Sequence, residues 1–264
     1  LYKTKRNINS KSNKRKGEDL IISASPQQTY KHEPRIKPSP ISGQVLKFPP
    51  TRFMGSKTKI LPYIRDIIRE LKFETALDLF SGSGIVSYLL KSEKKSVISN
   101  DHMALGSTIS KALVQNNNQI LPINSARKLL HPDYQSDLFV QSNFKDLYFT
   151  DEENILIDNI RANIKGLKNS YKKAIALSSL TRACTKKRPR GIFTYTGHRY
   201  DDGRKDLSTS LEDHFLHAVE IFNNAVFDNN CKNRSTRKDA MNSTNNVDFV
   251  YMDPPYYSLR SDNE

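Results

Sequence analysis

The stretch Thr75-Ala76-Leu77-Asp78-Leu79-Phe80-Ser81-Gly82-Ser83-Gly84 is a short apolar run closed by a serine-glycine turn. Such a run, ended by glycines, predicts a strand delivering the chain into a tight turn. Ile85-Val86-Ser87-Tyr88-Leu89-Leu90 continues as a helix, and Val97-Ile98-Ser99 reads as a second strand ending at Asn100-Asp101. Strand, glycine turn, helix and strand form a βαβ unit, which predicts an α/β fold built on a parallel sheet. Upstream, Ile60, Leu61, Ile64, Ile67, Ile68 and Leu71 recur at helical spacing, with Pro62 early, where its missing N–H is tolerated. Downstream, Met103 to about Phe227 is mainly helical, interrupted by a basic, glycine-containing stretch from Lys186 to Arg204. Asp248-Phe249-Val250-Tyr251-Met252 then reads as a buried strand running into Asp253-Pro254-Pro255-Tyr256.

The 264 residues suffice for one α/β domain with an insertion or tail, and a hydrophobic fraction of 36% predicts that part of the chain is unstructured. No apolar run approaches the roughly 18 residues a bilayer span needs, and no signal-peptide pattern opens the sequence. Cys184 and Cys231 make neither a disulfide framework nor a zinc spacing. His214 and His217 read as surface residues, so no metal is expected. The net charge of +14 is uneven. Residues 1–50 hold eleven Lys/Arg against three Asp/Glu, a net of +8, and their six prolines break any helix. They read as a flexible basic arm. The excess of cations fits a polyanionic partner or a solubilising tail, and charge alone does not choose between them.

Two motifs carry chemistry. Glycines at a strand end let a ligand approach backbone that a Cβ would cover, and Asp101, at the tip of the next strand, is placed to accept hydrogen bonds from ribose hydroxyls. A dinucleotide fingerprint would want glycine at position 87, where the chain has Ser87; a nucleoside without phosphates, such as S-adenosylmethionine, tolerates the looser turn. In Asp253-Pro254-Pro255-Tyr256 the prolines hold the backbone extended, fixing the Asp253 carboxylate and Pro254 carbonyl as acceptors. Both hydrogens of an adenine N6 amine could be accepted there, localising its lone pair, while Tyr256 offers a flat face for an extruded base.

With these motifs in this order the chain resembles the D12 class of adenine-specific DNA methyltransferases. Phe53-Met54-Gly55-Ser56-Lys57 matches that family's leading Phe-x-Gly-x-Lys element, Asp78 to Gly84 its glycine motif, Asp101 its acidic strand tip, and residues 253–256 its Asp-Pro-Pro-Tyr; Asp239 is a looser match. The resemblance implies a Rossmann-like methyltransferase sheet over residues 51–118 and 228–264, with a helical target-recognition insertion over 119–227. It implies transfer of a methyl group from S-adenosylmethionine to adenine N6 in double-stranded DNA, with base flipping. Phe53, Lys57, Asp78, Phe80, Gly82, Gly84, Asp101 and Asp239 would form the cofactor site, with Lys57 on the methionine carboxylate, Asp78 at its amino end and Asp101 on the ribose. Asp253, Pro254, Pro255 and Tyr256 would be catalytic, and Arg188, Arg190, Arg199 and Arg204 would contact DNA.

The family's sheet continues after its tetrapeptide, so a chain ending at Glu264 is expected to be an incomplete, poorly stable and inactive piece with an exposed apolar edge. The resemblance further implies a monomer in the cytoplasm, associated with the nucleoid through DNA, and allows a cognate restriction endonuclease as a partner. N4-cytosine or RNA adenine methylation stays open at this point. So does a non-catalytic nucleic-acid-binding remnant.

Overall fold

The computed structural model of the protein describes residues 38–51, 55–132, 136–188, 193, 203–243 and 246–255. Its centre is a four-stranded parallel sheet of β1 (Thr75–Asp78), β2 (Ser96–Asn100), β3 (Arg234–Thr236) and β4 (Phe249–Tyr251), in the spatial order β3-β2-β1-β4. The expected βαβ unit is its core, with α2 (Ile85–Ser92) crossing from β1 to β2 and Ala76 pairing with Val97. The helix expected near residue 60 is α1, Leu61–Glu70, with Pro62 in its first turn. β3 was not expected. It has three residues, Arg-Ser-Thr, too short and too polar to show an apolar pattern; its pairing with β2 defines it.

α2 lies between two apolar clusters, which is why seven of its eight residues are buried and no amphipathic stripe shows. Ile85, Val86, Leu89 and Leu90 pack with Leu61, Ile68, Phe73, Ala76 and Val97. Tyr88 belongs to the second cluster, formed by α3 (Ala104–Ser110), α4 (Ile123–Lys128), α6 (Asp151–Gly166), α7 (Ser170–Lys186) and α9 (Leu211–Ala225). α6 contributes Ile157, Ile160 and Ile164, and α9 contributes Leu211, Phe215, Val219 and Phe222. Region 119–227 therefore shares its core with the βαβ unit instead of packing apart from it. Two short helices, α5 (Phe139–Asn143) and α8 (Lys205–Ser208), complete the set among the described residues.

Three polar devices hold the layers together. The Tyr88 hydroxyl donates to the Ala225 carbonyl and accepts from the Gln44 amide, joining α2, α9 and the segment before α1. The buried Lys91 ammonium donates to the carbonyls of Leu113 (3.0 Å) and Asn116 (2.7 Å), satisfying the π-helical turn Lys111–Gln115 that extends α3. Glu93 accepts from Arg65 (2.7 Å) and Arg69 (3.0 Å), bracing α1 against the end of α2.

Two expectations differ from the structure. The basic arm was drawn to residue 50, yet Val45 is buried, Ile41 and Phe48 pack on the core, and Phe48 lies 5.1 Å from the Tyr88 ring. These apolar residues sit between prolines, which hid their periodicity. Residues 1–37 lie outside the described residues. Second, Asp248 to Met252 read both as a buried strand and as an exposed apolar edge, and β4 is the edge strand of the described sheet; Val250 is exposed, while Phe249 stacks on Phe73 at 4.6 Å.

β4 is fastened to β1 at its start by Asp248. Its Oδ2 accepts from the backbone N–H groups of Thr75 (2.9 Å) and Glu74 (3.0 Å) and from the Thr75 hydroxyl (2.9 Å). These bonds, the Thr75 N–H foremost, hold the Asp248 carboxyl below its ordinary value. A depressed folded-state value contributes stability that is present at neutral pH and lost as pH falls through it. Asp248→Ala is therefore expected to melt about 2–4 °C lower than wild type at neutral pH, the gap closing in acid as wild type loses the carboxylate. A gap of equal size at both pH values, measured by thermal melts, would contradict this role.

Candidate active site

Because the strands are parallel, their carboxyl ends share one edge, and β1 leads to β2 on one side while β4 pairs on the other. That reversal makes the mouth between β1 and β4 the expected ligand crevice of an open α/β sheet. The sequence places Asp78 at the end of β1, Asn100-Asp101 at the end of β2 and Asp253 two residues beyond β4. The Leu79 N–H donating to the Tyr251 carbonyl (3.0 Å) and the Ser81 N–H donating to the Asn100 carbonyl (2.8 Å) extend the ladder into the glycine turn.

The turn needs its glycines. Gly82 and Gly84 have φ of 52° and 82°, in the left-handed region that side chains disfavour. The Asp101 carboxylate accepts from the Gly82 N–H (2.6 Å) and the Met103 N–H (2.7 Å), so it fastens the turn to the start of α3. Gly106 of α3 fits against the back of this arrangement, and sequence reading missed it; glycine inside a helical stretch was the available signal.

Asp78 is buried. Its Oδ2 accepts from the Ser87 hydroxyl at 2.7 Å, whereas Oδ1 has no hydrogen-bond partner among the described residues. Burial pushes its carboxyl up to about 7, and the carboxylates of Asp101 and Asp253 add to the rise against the Ser87 bond. A buried, one-armed acceptor beside a glycine turn fits a ligand that brings a cationic donor.

Across the mouth, the Lys57 ammonium lies 2.6 Å from the Asp253 carboxylate. The Lys57–Asp253 pairing was not expected from the sequence, which separates the two by most of the chain. Phe80 is half-buried in the turn, and Asp239 sits beyond β3, accepting from the Met241 N–H at 2.9 Å. Pro254 and Pro255 are exposed. Phe53, Tyr256, Arg190 and Arg199 lie outside the described residues.

Arg188, expected to contact DNA together with Arg190, Arg199 and Arg204, lies inside the fold, and its two lysine neighbours are engaged within the chain. Arg188 is 1% exposed, donates to the Tyr148 carbonyl and lies over the Tyr148 ring. Lys186 pairs with Asp206 (2.8 Å) and Lys187 with Glu153 (3.0 Å). These cations bind the end of α7 to α6 and α8; a carbonyl and neighbouring carboxylates outcompete solvent for them. Arg204 donates to the Arg188 carbonyl at 3.0 Å. His214, expected at the surface, is buried with Nε2 2.7 Å from the Asp206 carbonyl. Among the described residues no group of His, Cys, Asp or Glu is arranged to hold a metal, and no helix is long and apolar enough to cross a membrane.

Fold and site together define a Rossmann-like α/β domain of the methyltransferase type, with a glycine turn and a proline-stiffened acidic segment at one sheet edge. The chain belongs to the D12 class N6 adenine-specific DNA methyltransferase family, whose profile matches residues 53–264. It is 31% identical over 225 residues to the type II methyltransferase M2.HphI of Haemophilus parahaemolyticus, covering 80% of this chain and 66% of that protein. It is 26% identical to modification methylase LlaI of Lactococcus lactis subsp. lactis and 27% identical to type II methyltransferase M.FokI of Planomicrobium okeanokoites, each over 78% of this chain. The chain spans 35% and 34% of those two relatives and just under two thirds of the first. No solved structure matches it significantly. The family as a whole uses S-adenosylmethionine.

Proposed function

We propose that the protein transfers a methyl group from S-adenosylmethionine to adenine N6 in double-stranded DNA, on a base turned out of the helix. The observation that carries this reading is the Asp253-Pro254-Pro255 segment, stiffened by its prolines at the end of β4 and held against Lys57 at the mouth of the glycine turn.

When bound, S-adenosylmethionine supplies an electrophilic methyl group on a sulfonium. Asp78 would hold its amino end through the unpartnered Oδ1, Gly82 and Gly84 would admit it to the backbone, and Asp101, Phe80, Phe53 and Asp239 would border it. The ion pair supports a different role for Lys57 from the one the resemblance implies: it orients Asp253 instead of pairing with the methionine carboxylate. The Asp253 carboxylate and Pro254 carbonyl would accept the two N6 hydrogens and direct the lone pair outward, and Tyr256 would stack on the base. With Arg188 buried, DNA contact falls to Arg190, Arg199 and Arg204 and to the general excess of +14, which favours a polyanion. The relatives' names support a modification setting with a cognate restriction endonuclease acting on the same DNA, and the protein would act as a monomer.

Unmethylated plasmid incubated with the protein and methyl-deuterated S-adenosylmethionine should yield deuterated N6-methyladenine on nucleoside mass spectrometry. N4-methylcytosine alone would move the reaction to the other exocyclic amine, and no methylated base would overturn the reading.

A further inference from the structure

Behind the glycine turn lies a chain of buried hydroxyls that methyl transfer does not require. Ser87 of α2 lies 2.7 Å from Asp78 Oδ2 and 2.8 Å from the Ser99 hydroxyl of β2; Ser99 lies 2.8 Å from Ser110 of α3, and Ser110 reaches Ser81 at 3.5 Å. All of these groups are buried. A hydroxyl has one proton to donate, so Ser87 can give to Asp78 or to Ser99 but not to both. With Asp78 ionised, Ser110 donates to Ser99, Ser99 to Ser87 and Ser87 to the carboxylate. With Asp78 protonated, its O–H donates to Ser87 and the direction reverses along the same line. Either state leaves Ser87 and Ser99 hydrogen-bonded, so neither meets the cost of a broken buried hydrogen bond.

We propose that Ser87, Ser99 and Ser110 are positioning residues, a reversible hydroxyl relay that lets Asp78 carry a proton until the ammonium end of the cofactor arrives and then release it, making cofactor binding proton-linked. This rests on the reading of Asp78 as the partner of that ammonium. The charged groups facing Asp78 are Asp101 at the end of β2 and Asp253 beyond β4; both are carboxylates and both favour its neutral form. From α2 and α3 it meets the hydroxyls of the relay. Burial brings its carboxyl to about 7, so both states are accessible near neutral pH. The released proton goes to the buffer, and the carboxylate left behind pairs with the bound ammonium. Gly84 also serves the relay, since a Cβ there would stand 3.2 Å from the Ser110 hydroxyl.

The test is titration calorimetry of the full chain with S-adenosylhomocysteine, which bears the ammonium, and 5′-methylthioadenosine, which lacks it. Two buffers of different ionisation heat are used between about pH 5.5 and 7.5, a window that lies below the ordinary α-amine value of about 7.7–8.0. Below about pH 7 the first ligand should release up to one proton, its affinity weakening toward about tenfold per pH unit, while the second does neither. Ser87→Ala removes the bond that favours the carboxylate and should move the affinity midpoint to higher pH; Ser87→Thr should restore it. Tight binding of S-adenosylhomocysteine with a flat pH profile and no proton release would overturn the relay while leaving the cofactor site intact. Binding of neither ligand at any pH would overturn the cofactor reading itself. If Ser87→Ala does not fold, the wild-type proton count and the contrast between the two ligands decide the matter.

Discussion

Asp253→Ala should lower the rate of methyl transfer by about a hundredfold to ten-thousandfold while leaving the fold and duplex affinity nearly unchanged. The asymmetry follows from where the carboxylate sits. It lies on a proline-stiffened segment past the end of β4, partly open to solvent, with Lys57 at 2.6 Å. The pair is largely covered, its side chains 17% and 21% exposed, but it lies beyond the end of β4 and takes no part in strand pairing, so its loss should not unfold the sheet. The loss to chemistry is larger, because an amine conjugated with a purine ring is a poor nucleophile until its hydrogens are held. Asp253→Asn keeps the shape and one acceptor and should fall between wild type and alanine. Single-turnover methyl transfer and duplex titration on the same preparations separate the effects. A variant that keeps its rate within a factor of about three would remove Asp253 from the reaction.

The second large effect is expected at Gly106, which touches no ligand in the proposed reaction. A Cβ there would lie 2.7 Å from the Gly82 carbonyl oxygen and 2.8 Å from Asp101 Cγ, and neither group is free to move. The first is backbone of the turn, and the second is fixed by the N–H groups of Gly82 and Met103. Gly106→Ala should cost about 1–3 kcal/mol of stability by overpacking. It should also weaken cofactor binding by about tenfold or more, since it displaces the turn and its acidic anchor together. Gly166→Ala is the control: the added Cβ meets nothing within 4 Å, and this substitution should be silent in both assays. Equal effects of the two substitutions on a thermal melt and on S-adenosylhomocysteine affinity would refute this account of the turn.

What the sequence reveals and what it hides divide along a physical line. β1, α2 and β2 are legible because their apolar residues and glycines lie within one short stretch, where local pattern and final structure agree. The carboxylates of the site are legible because each stands at the end of such a strand. The contacts that join distant segments are not. The bond of Asp248 to Thr75, the pairing of Lys57 with Asp253 and the fit of Gly106 against Gly82 and Asp101 exist only once the sheet edge is assembled. Arg188 shows the opposite case. Charge reads as exposure in a sequence, but Arg188 is buried, donating to the Tyr148 carbonyl and lying over the Tyr148 ring. Ser87 was visible as a departure from a glycine motif, while its partners Ser99 and Ser110 were unremarkable residues until the fold aligned them.

The sheet order also sets a schedule for the growing chain. β1 and β2 can pair as soon as Asn100 has left the ribosome, but β2 then waits for Arg234 and β1 for Phe249. At about 5–20 residues per second that interval is on the order of ten seconds, with both flanks of a two-stranded parallel ribbon bare. Unpaired strand flanks template aggregation, so this is the interval in which a nascent copy is most exposed to its neighbours on the same message. The helices synthesised meanwhile bury Tyr88 and Leu113, so they shield an apolar face of the unit before its outer strands arrive. Slowing translation between those two points should harm this protein more than slowing it anywhere else.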